Sequence, residues 1–315
     1  MLNTQRRADI HDLAIESPAP THTWRERYDA LTRLPLVREA LARPRFGFWP
    51  IDVEGTIDAQ GAMATNIELA NVLVLSEKSP EAGQEALRLL EKTRIHARGM
   101  WFRSLTSNHE SSTIRCTENE LLAILILQKT DPEEAQRCLA KLRESPLYDR
   151  DSGLWFRHVD LNGGRRDEHQ YVRDQFLSAY IEGGKKAVEV LHRLRETAYD
   201  ERNGLWLRTV PRDAQRRVAA EERARFFSDQ LFAVLPETLI DPSRAKASWA
   251  RLRSSSFFDA ATGYWWLTID KGIPRENESP RIYDQLLALY VEAQIEKLPR
   301  AEEPAREIPH TLDIN

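Results

Sequence analysis

The amino-acid sequence predicts an all-α protein, an α/α toroid (barrel) of about five helical hairpins with long loops at one mouth. The first observation is a tryptophan that follows Gly-x at intervals of 52, 54, 51 and 59 residues: Trp49, Trp101, Trp155, Trp206 and Trp265. The second is an acid or amide 19 to 24 residues after each tryptophan: Glu68, Glu120, Gln175, Gln230 and Gln285. Such self-similarity at a nearly constant period indicates a repeat architecture.

Five amphipathic segments, one before each tryptophan, are predicted to be outer helices with one solvent-exposed face. They cover residues 23–44, 81–93, 132–145, 185–198 and 242–255. Three of them follow a Ser-Pro or Asp-Pro pair, at 79–80, 131–132 and 241–242. Each pair combines a preferred N-cap residue with proline at the first helical position, which is a helix-start signal.

The segments that contain the repeated acid or amide are more apolar and are predicted to be inner helices. Examples are ELLAILIL from Glu120 and DQLLALYVEA from Asp284. A helix that is apolar all round is typically covered by protein on all sides. Loops of roughly 25 residues lead from each outer helix to an inner helix, and links such as KTDP lead back. The long loops therefore share one mouth of the ring.

Composition and charge exclude several classes of protein. The chain has 315 residues, of which 41% are hydrophobic and 30% charged, and its formal net charge is −4. This balance disfavours binding to nucleic acid or a membrane surface, which relies on excess Lys and Arg. Cys116 and Cys138 form neither a disulfide framework nor a zinc motif. Without a signal-like or membrane-spanning segment, a cytoplasmic protein is expected.

The toroid domain is expected over residues 23–298. Residues 1–22 are predicted to be an N-terminal extension, and the Pro- and Glu-rich residues 299–315 a C-terminal tail. The sequence predicts no cofactor and no metal site, and it gives no indication of the oligomeric state.

Two phrases of the third repeat resemble a known family. D-x-x-x-G-L-W-x-R (149–157), followed by YVRDQFL (171–177), is similar to the hairpin pattern of α/α-toroid carbohydrate enzymes. The nearest are the unsaturated glucuronyl and galacturonyl hydrolases, and the resemblance covers about residues 45–295. The chain departs from that family in having five hairpins rather than six, and Asp174 where the family has glycine. Terpenoid cyclases, with their Gly-x-Trp repeats, are a more distant resemblance, because their D-x-D-D motif is absent here.

Acidic residues at the predicted starts of the inner helices are the first candidates for chemistry. Asp174 is a candidate catalytic residue, and Asp229 and Asp284 are candidate substrate-binding residues at the equivalent positions. They could simply stabilise helix N-termini. Alternatively, a ring of carboxylates around the axis would raise one another's pKa, which produces a general acid.

The second repeat departs most from the common pattern. Its helix starts with Glu118 and Glu120, and its loop contains His109. Resemblance to the hydrolases implies an essential acid at such a helix start, so both glutamates are candidate catalytic residues. His109 is either a solvated loop residue or a general base suited to proton abstraction from a sugar carbon.

Candidate substrate-binding residues surround these positions. Arginines in the loops could bind a carboxylated substrate through bidentate hydrogen bonds, or form surface salt bridges. The tryptophans could stack on sugar rings, or close the mouth of each hairpin as structural plugs. Together with Asp229 and Asp284, the candidate substrate-binding residues are Trp101, Arg103, Trp155, Arg157, His158, Tyr171 and Arg173.

Three functions remain open on the sequence alone. The first is an enzyme acting on a small-molecule or oligosaccharide substrate, an acidic sugar, as hydrolase, epimerase or lyase. The second is a terpenoid-cyclase-like enzyme, which requires an aromatic, apolar cavity. The third is a non-catalytic helical-repeat binding protein, in which side chains would fill the central cavity.

Overall fold

The computed structural model describes residues 23–35, 37–38, 63–93, 96–97, 99–105, 112–162, 165–211, 225–270, 273–274 and 280–299. The predicted N-terminal extension, residues 300–315 of the predicted tail, and Trp49 lie outside these ranges. Residues 36 and 39–44 of the first predicted outer helix lie outside them too.

The described ranges contain ten helices, which alternate between two layers. The outer helices are α1 (Trp24–Arg33), α3 (Pro80–Glu91), α5 (Pro132–Glu144), α7 (Gly184–Ala198) and α9 (Pro242–Arg253). The inner helices are α2 (Thr65–Lys78), α4 (Thr117–Thr130), α6 (Val172–Glu182), α8 (Phe227–Ile240) and α10 (Ile282–Glu296). The predicted N-caps of α3, α5 and α9 are confirmed, since each side chain accepts the backbone N–H three residues later: Ser79, Asp131 and Asp241.

The five inner helices close into a ring. Each packs against the next along the chain, and α10 packs against α2. The outer helix α1 packs against the inner helix α10, so the first and last helices of the described ranges are in contact. The prediction of an all-α toroid of five hairpins is confirmed, and closure of the ring is established by the structure.

Burial separates the two layers as the hydrophobic pattern predicts. In the inner helix α4, every residue from Thr117 to Ile126 is buried. In the outer helix α5, only Ala135 and Leu142 are buried. The core therefore lies between the layers and around the inner ring. Within the described residues, no helix combines the length and hydrophobicity needed to cross a bilayer.

Short antiparallel strands occupy the long connections between outer and inner helices. They are β1 (Met63–Ala64), β2 (His96–Ala97), β3 (Met100–Trp101), β4 (Ser104–Leu105), β5 (Ile114–Cys116), β6 (Tyr148–Asp149), β7 (Leu154–Trp155), β8 (His158–Asp160), β9 (Arg165–Asp167), β10 (Tyr199–Asp200), β11 (Leu205–Trp206), β12 (Arg225–Phe226), β13 (Thr268–Asp270) and β14 (Ile273–Pro274). The pairs are β1–β4, β2–β3, β6–β7 and β10–β11, and the three-stranded sheets are β5–β8–β9 and β12–β13–β14. In β6–β7, Tyr148 pairs with Trp155 across a turn in which Gly153 has a φ of 69°, a left-handed conformation that favours glycine.

A recurring hydrogen-bond pair joins three of the tryptophan turns to their inner helices, and we call it the tryptophan clamp. In the third repeat, Gln175 Oε1 accepts the backbone N–H of Trp155 at 2.8 Å, and its Nε2 donates to the Trp155 carbonyl at 2.9 Å. The same pair recurs in the fourth and fifth repeats: Gln230 with Trp206, and Gln285 with Trp265. The repeated amide that the sequence displays is therefore a structural element of the turn.

The opposite end of the ring is joined by an ionic contact among three inner helices. Glu77 of α2 pairs with Lys129 of α4 and with Lys297, the residue that follows α10. The Glu77 side chain is 3% exposed, so its carboxylate is buried between the two lysines.

The tryptophan clamp predicts the cost of removing its amide. In Gln230→Ala the buried N–H and C=O of Trp206 lose their partners, so we expect the free energy of unfolding to fall by about 2–4 kcal/mol. Urea unfolding measures this loss. The matched control is Gln136→Ala on the exposed face of α5, expected to change stability by less than about 0.5 kcal/mol. Equal stability of the two variants would contradict a structural role for the clamp.

Candidate active site

The amino-terminal ends of the inner helices converge at the mouth of the ring. Tyr283, the second residue of α10, donates a hydrogen bond from its hydroxyl to Glu118 Oε1 at 2.5 Å. Glu118 is the second residue of α4, and α4 and α10 are separated in the ring by α2. This hydrogen bond therefore joins two helices that are not neighbours, at the axial end of the bundle.

Arg173 completes the contacts of Glu118. It is the second residue of α6, and its Nη2 lies 3.2 Å from Glu118 Oε2. Both carboxylate oxygens of Glu118 thus face a partner that stabilises negative charge. Burial favours the neutral form of Arg173, but Glu118 and then Asp229 outweigh this effect and raise the pKa of the guanidinium.

Three aspartates occupy the third position of consecutive inner helices: Asp174 in α6, Asp229 in α8 and Asp284 in α10. Their exposed fractions are 1%, 1% and 0%. Among the described residues, none of their side-chain oxygens has a hydrogen-bond partner, and none caps its helix. With Glu118, Arg173 and Tyr283, we call these residues the axial cluster.

Burial sets the protonation of these aspartates. It raises the pKa of Asp229 to about 7, and Arg173 and Arg208 only partly oppose it. Burial likewise raises the pKa of Asp284 to about 7, and it raises that of Asp174 well above its ordinary value. The neighbouring carboxylate of Glu118 adds to each increase. The axial cluster therefore combines a charge-stabilised carboxylate with carboxyl groups that hold protons near neutral pH.

Three guanidinium groups surround the ring of Tyr171 beside the axial cluster. Arg157, Arg208 and Arg173 lie 4.5, 4.9 and 5.3 Å from the ring centre. Arg157 Nη1 also donates to the Tyr171 hydroxyl at 2.7 Å. Neither Arg157 nor Arg208 forms an ion pair with a carboxylate of the described residues. Such a group of cations is suited to binding an anion.

A histidine and an aspartate pair at the edge of this region. His158 Nδ1 lies 3.4 Å from Asp167 Oδ2, and the exposed His169 contacts the other oxygen at 2.6 Å. Burial lowers the pKa of His158, although Asp167 opposes this effect. Cys116 is the strand partner of His158, and burial raises the pKa of its thiol to about 12, which makes it a poor nucleophile.

Several other predicted site residues have structural contacts. Glu120 Oε1 accepts the backbone N–H of Trp101 at 2.9 Å and Arg115 Nε at 2.6 Å, so it fills the clamp position of the second repeat. Trp101 and Trp155 are buried within their turns, 5% and 2% exposed. Arg103 is exposed, and its backbone carbonyl accepts the N–H of Thr65, the first residue of α2.

Two further residues differ from the sequence prediction: His109, which was predicted, and Tyr283, which was not. His109 lies outside the described residues. Tyr283 belongs to the axial cluster although the sequence did not identify it. Its signal is that the second helical position differs in every repeat: Asn66, Glu118, Arg173, Ser228 and Tyr283. Within the described part of the chain, no group of three or more potential ligands is arranged to hold a metal ion.

This arrangement of helices and loops defines an α/α toroid with a charged mouth, unlike the aromatic cavity that a terpenoid cyclase requires. No protein-family model matches the chain, and no significant match was found among curated proteins. Its fold is similar to that of a D-mannose isomerase, with a TM-score of 0.57 and 14% identity over 87% of this chain and 81% of the other.

Two further structures are similar at comparable levels. A protein of the GH8 group from Teredinibacter turnerae, in a xylobiose complex, has a TM-score of 0.52 and 10% identity over 76% of this chain and 82% of the other. A cellobiose 2-epimerase from Bacillus thermoamylovorans has a TM-score of 0.51 and 10% identity over 86% of this chain and the whole of the other. At these identities, the likeness establishes the shared fold.

The raised pKa of Asp229 predicts a pH-dependent stability. The folded protein binds more protons than the unfolded chain between the ordinary pKa of 3.8 and about 7, so stability falls as pH rises through this window. Asp229→Asn cannot ionise, so at about pH 8 we expect it to be more stable than the wild type by about 2–4 kcal/mol.

Urea unfolding at about pH 5 and about pH 8 measures this difference. Asp151→Asn, in an exposed turn, is the matched control and should keep the wild-type pH dependence. If Asp229→Asn also keeps it, the carboxyl of Asp229 does not hold a proton at neutral pH.

Proposed function

We propose that the protein is an enzyme that acts on a carbohydrate, an acidic sugar or oligosaccharide, by carboxylate acid–base catalysis. The observation that carries this proposal is the axial cluster. There, one carboxyl group has charged and hydrogen-bonding partners, whereas the neighbouring carboxyl groups are buried without hydrogen-bond partners among the described residues. Glu118 accepts a hydrogen bond from Tyr283 and pairs with Arg173, whereas burial raises the pKa of Asp229 and Asp284 to about 7. Neighbouring carboxyl groups in different environments are what general acid–base catalysis requires.

The roles follow from these environments. Glu118 stabilises positive charge that develops on the substrate or accepts its proton. A neutral carboxyl group, Asp174, Asp229 or Asp284, donates the proton to an oxygen of the substrate. In a hydrolase this proton goes to the leaving oxygen, whereas in an epimerase or lyase Glu118 takes a proton from carbon.

The anionic part of the substrate is assigned to the arginines around Tyr171. Arg157, Arg173 and Arg208 present planar donor groups that match a carboxylate, and burial already disfavours the charge on Arg208. An incoming carboxylate would relieve this cost. Resemblance of the third repeat to unsaturated glucuronyl hydrolases supports an acidic sugar, and the sugar-named structural neighbours support a carbohydrate.

Burial of the axial cluster favours a second candidate, a non-catalytic helical-repeat protein. Asp284 is 0% exposed and Tyr283 is 6% exposed, so side chains fill this end of the ring. In that case the Tyr283–Glu118–Arg173 contacts would only hold inner helices together. The two candidates differ in catalytic turnover. An enzyme has turnover that substitutions in the axial cluster reduce, whereas a non-catalytic protein has none.

Glu118→Gln tests the catalytic role. With turnover first established on a panel of uronate-containing and neutral saccharides, we expect kcat to fall about 10²–10⁴-fold because the anion is lost. Glu120→Gln restores the amide that the clamp carries in the other repeats, so we expect activity within about tenfold of wild type. Turnover in D2O, followed by NMR, separates proton abstraction from hydrolysis.

The controls for this test are folding and an exposed glutamate. Both variants should give the wild-type far-ultraviolet circular dichroism spectrum, and Glu189→Gln on the exposed face of α7 should leave kcat unchanged. Full activity in folded Glu118→Gln would refute the mechanism. Absence of turnover on the whole panel, together with no saccharide binding, would favour the scaffold.

The arginine cluster predicts a selective effect on affinity. Arg208→Gln removes one cation that has no described carboxylate partner, so we expect KM for an acidic sugar to rise about 10–100-fold. The KM of a neutral analogue should change little. Arg202→Gln, in an exposed turn, is the matched control. An equal loss for acidic and neutral substrates would show that Arg208 supports the fold rather than the anion.

A further inference from the structure

Cys116, His158 and Asp167 form a row across the three-stranded sheet β5–β8–β9. Cys116 pairs with His158 between β5 and β8, and His158 pairs with Asp167 between β8 and β9. Directly paired residues of antiparallel strands present their side chains on the same face of the sheet. The register of the sheet therefore places the imidazole between the thiol and the carboxylate.

This row borders the axial cluster. Cys116 directly precedes α4, and Thr117 donates its backbone N–H to the Arg157 carbonyl at 3.0 Å. After burial, the charge of Glu118 contributes most to raising the pKa of the Cys116 thiol to about 12, so the thiol stays neutral. His158 therefore lies on the strand next to the one that leads into Glu118.

Asp167 determines which nitrogen of His158 carries a proton. Burial opposes ionisation of Asp167, but the His169 backbone N–H at 3.0 Å and the His169 side chain lower the pKa of the carboxyl group. An ionised carboxylate only accepts hydrogen bonds, so Nδ1 of His158, 3.4 Å away, is the protonated nitrogen of the neutral imidazole. Nε2 is then an acceptor, and no described residue forms a hydrogen bond with it.

The charges around His158 keep it neutral. Burial is the largest effect and lowers the pKa of His158, although Asp167 opposes it. The cations of Arg157 and Arg103 lower the pKa further, whereas Asp160 raises it. An anion bound at Arg157 would cancel part of the repulsion between cations. The imidazole would therefore become more basic when an acidic ligand is present.

We propose that His158, oriented by Asp167, is a further catalytic residue whose Nε2 accepts a proton from a hydroxyl group of the substrate. The acidic group of the substrate, bound at Arg157, makes His158 a stronger base, so proton transfer is favoured for acidic substrates. The O–H bond breaks, its electron pair stays on oxygen, and Asp167 stabilises the imidazolium that forms. The proton passes to the product or to water when the product leaves. This inference rests on the proposed function, which supplies the substrate and its anion.

The first test needs no substrate. In the full chain with ¹⁵N-labelled histidine, NMR reports the tautomer and the pKa of each imidazole, and His158→Gln identifies the signals of His158. We expect a proton on Nδ1, none on Nε2, and a pKa below the ordinary value of 6.5. Asp167→Asn should lower this pKa further, because the carboxylate charge is lost. Asp151→Asn, in an exposed turn, is the matched control and should leave it unchanged.

The second test uses sodium D-glucuronate as the acidic probe and D-glucose as its neutral match. Saturating glucuronate should raise the pKa of His158, whereas glucose should leave it unchanged. Arg157→Gln removes the cation through which the probe acts. In this variant the free protein should have a higher His158 pKa, and glucuronate should change it less. Arg202→Gln, in an exposed turn, should respond like the wild type.

Turnover provides the third test. The base must be unprotonated, so kcat/KM of the wild type should fall as pH decreases through the pKa of His158. His158→Gln should remove this dependence and lower kcat about 10²–10³-fold. Asp167→Asn should keep part of the activity and move the dependence to lower pH. His192→Gln, exposed on α7, should match the wild type.

The outcomes separate this inference from the proposed function. A proton on Nε2, or a His158 pKa that responds to neither Asp167→Asn nor bound glucuronate, would overturn the inference and leave the carboxylate mechanism standing. A wild-type kcat and pH profile in folded His158→Gln would do the same. Absence of both turnover and saccharide binding would refute the proposed function and this inference together. If His158→Gln does not fold, the tautomer and Asp167→Asn decide.

Discussion

The hydrogen bonds between an amide side chain and the preceding tryptophan turn are the constraint on which the rest of the toroid depends. In the third repeat, Gln175 pairs with both the N–H and the C=O of Trp155, 20 residues away. Because that amide is the fourth residue of the inner helix, the clamp fixes where the helix begins and how it is rotated. Rotation of each inner helix in turn determines which of its first residues face the axis.

Two residues along an α-helix differ in direction by about 200°. This rotation explains why Glu118 and Glu120, which look equivalent in the sequence, have different contacts. Glu120 faces the turn and replaces the clamp amide, with Arg115 as counterion. Glu118 faces the axis and meets Arg173 and Tyr283. The fourth helical position therefore carries the residue that contacts the tryptophan turn, whereas the residue at the second position differs between repeats.

The helices and turns could be predicted because their residues recur in the sequence. The axial cluster was difficult to predict because its residues differ between repeats. The tryptophans, the clamp amides and the N-caps repeat, so the helices, their layers and the mouth follow from the sequence. Asp174 was found because it recurs at the start of later inner helices, and Arg173 because the phrase YVRDQFL resembles a known family. Tyr283 was missed because its partner, Glu118, is 165 residues away and lies on a non-neighbouring helix. Periodicity carries no information about such a contact.

The three buried aspartates are the observation on which we favour the proposed catalytic role of the axial cluster over a purely structural one. In the second repeat the same helical position is Asn119, whose amide donates to the Phe102 carbonyl at 3.1 Å. The fold therefore accepts a neutral, hydrogen-bonded residue at this position. Asp174, Asp229 and Asp284 have no such partner among the described residues, and burial raises the pKa of each. Buried carboxyl groups without partners destabilise a protein. A scaffold would gain stability from asparagine in all three repeats, whereas an acid catalyst needs a group that can release its proton.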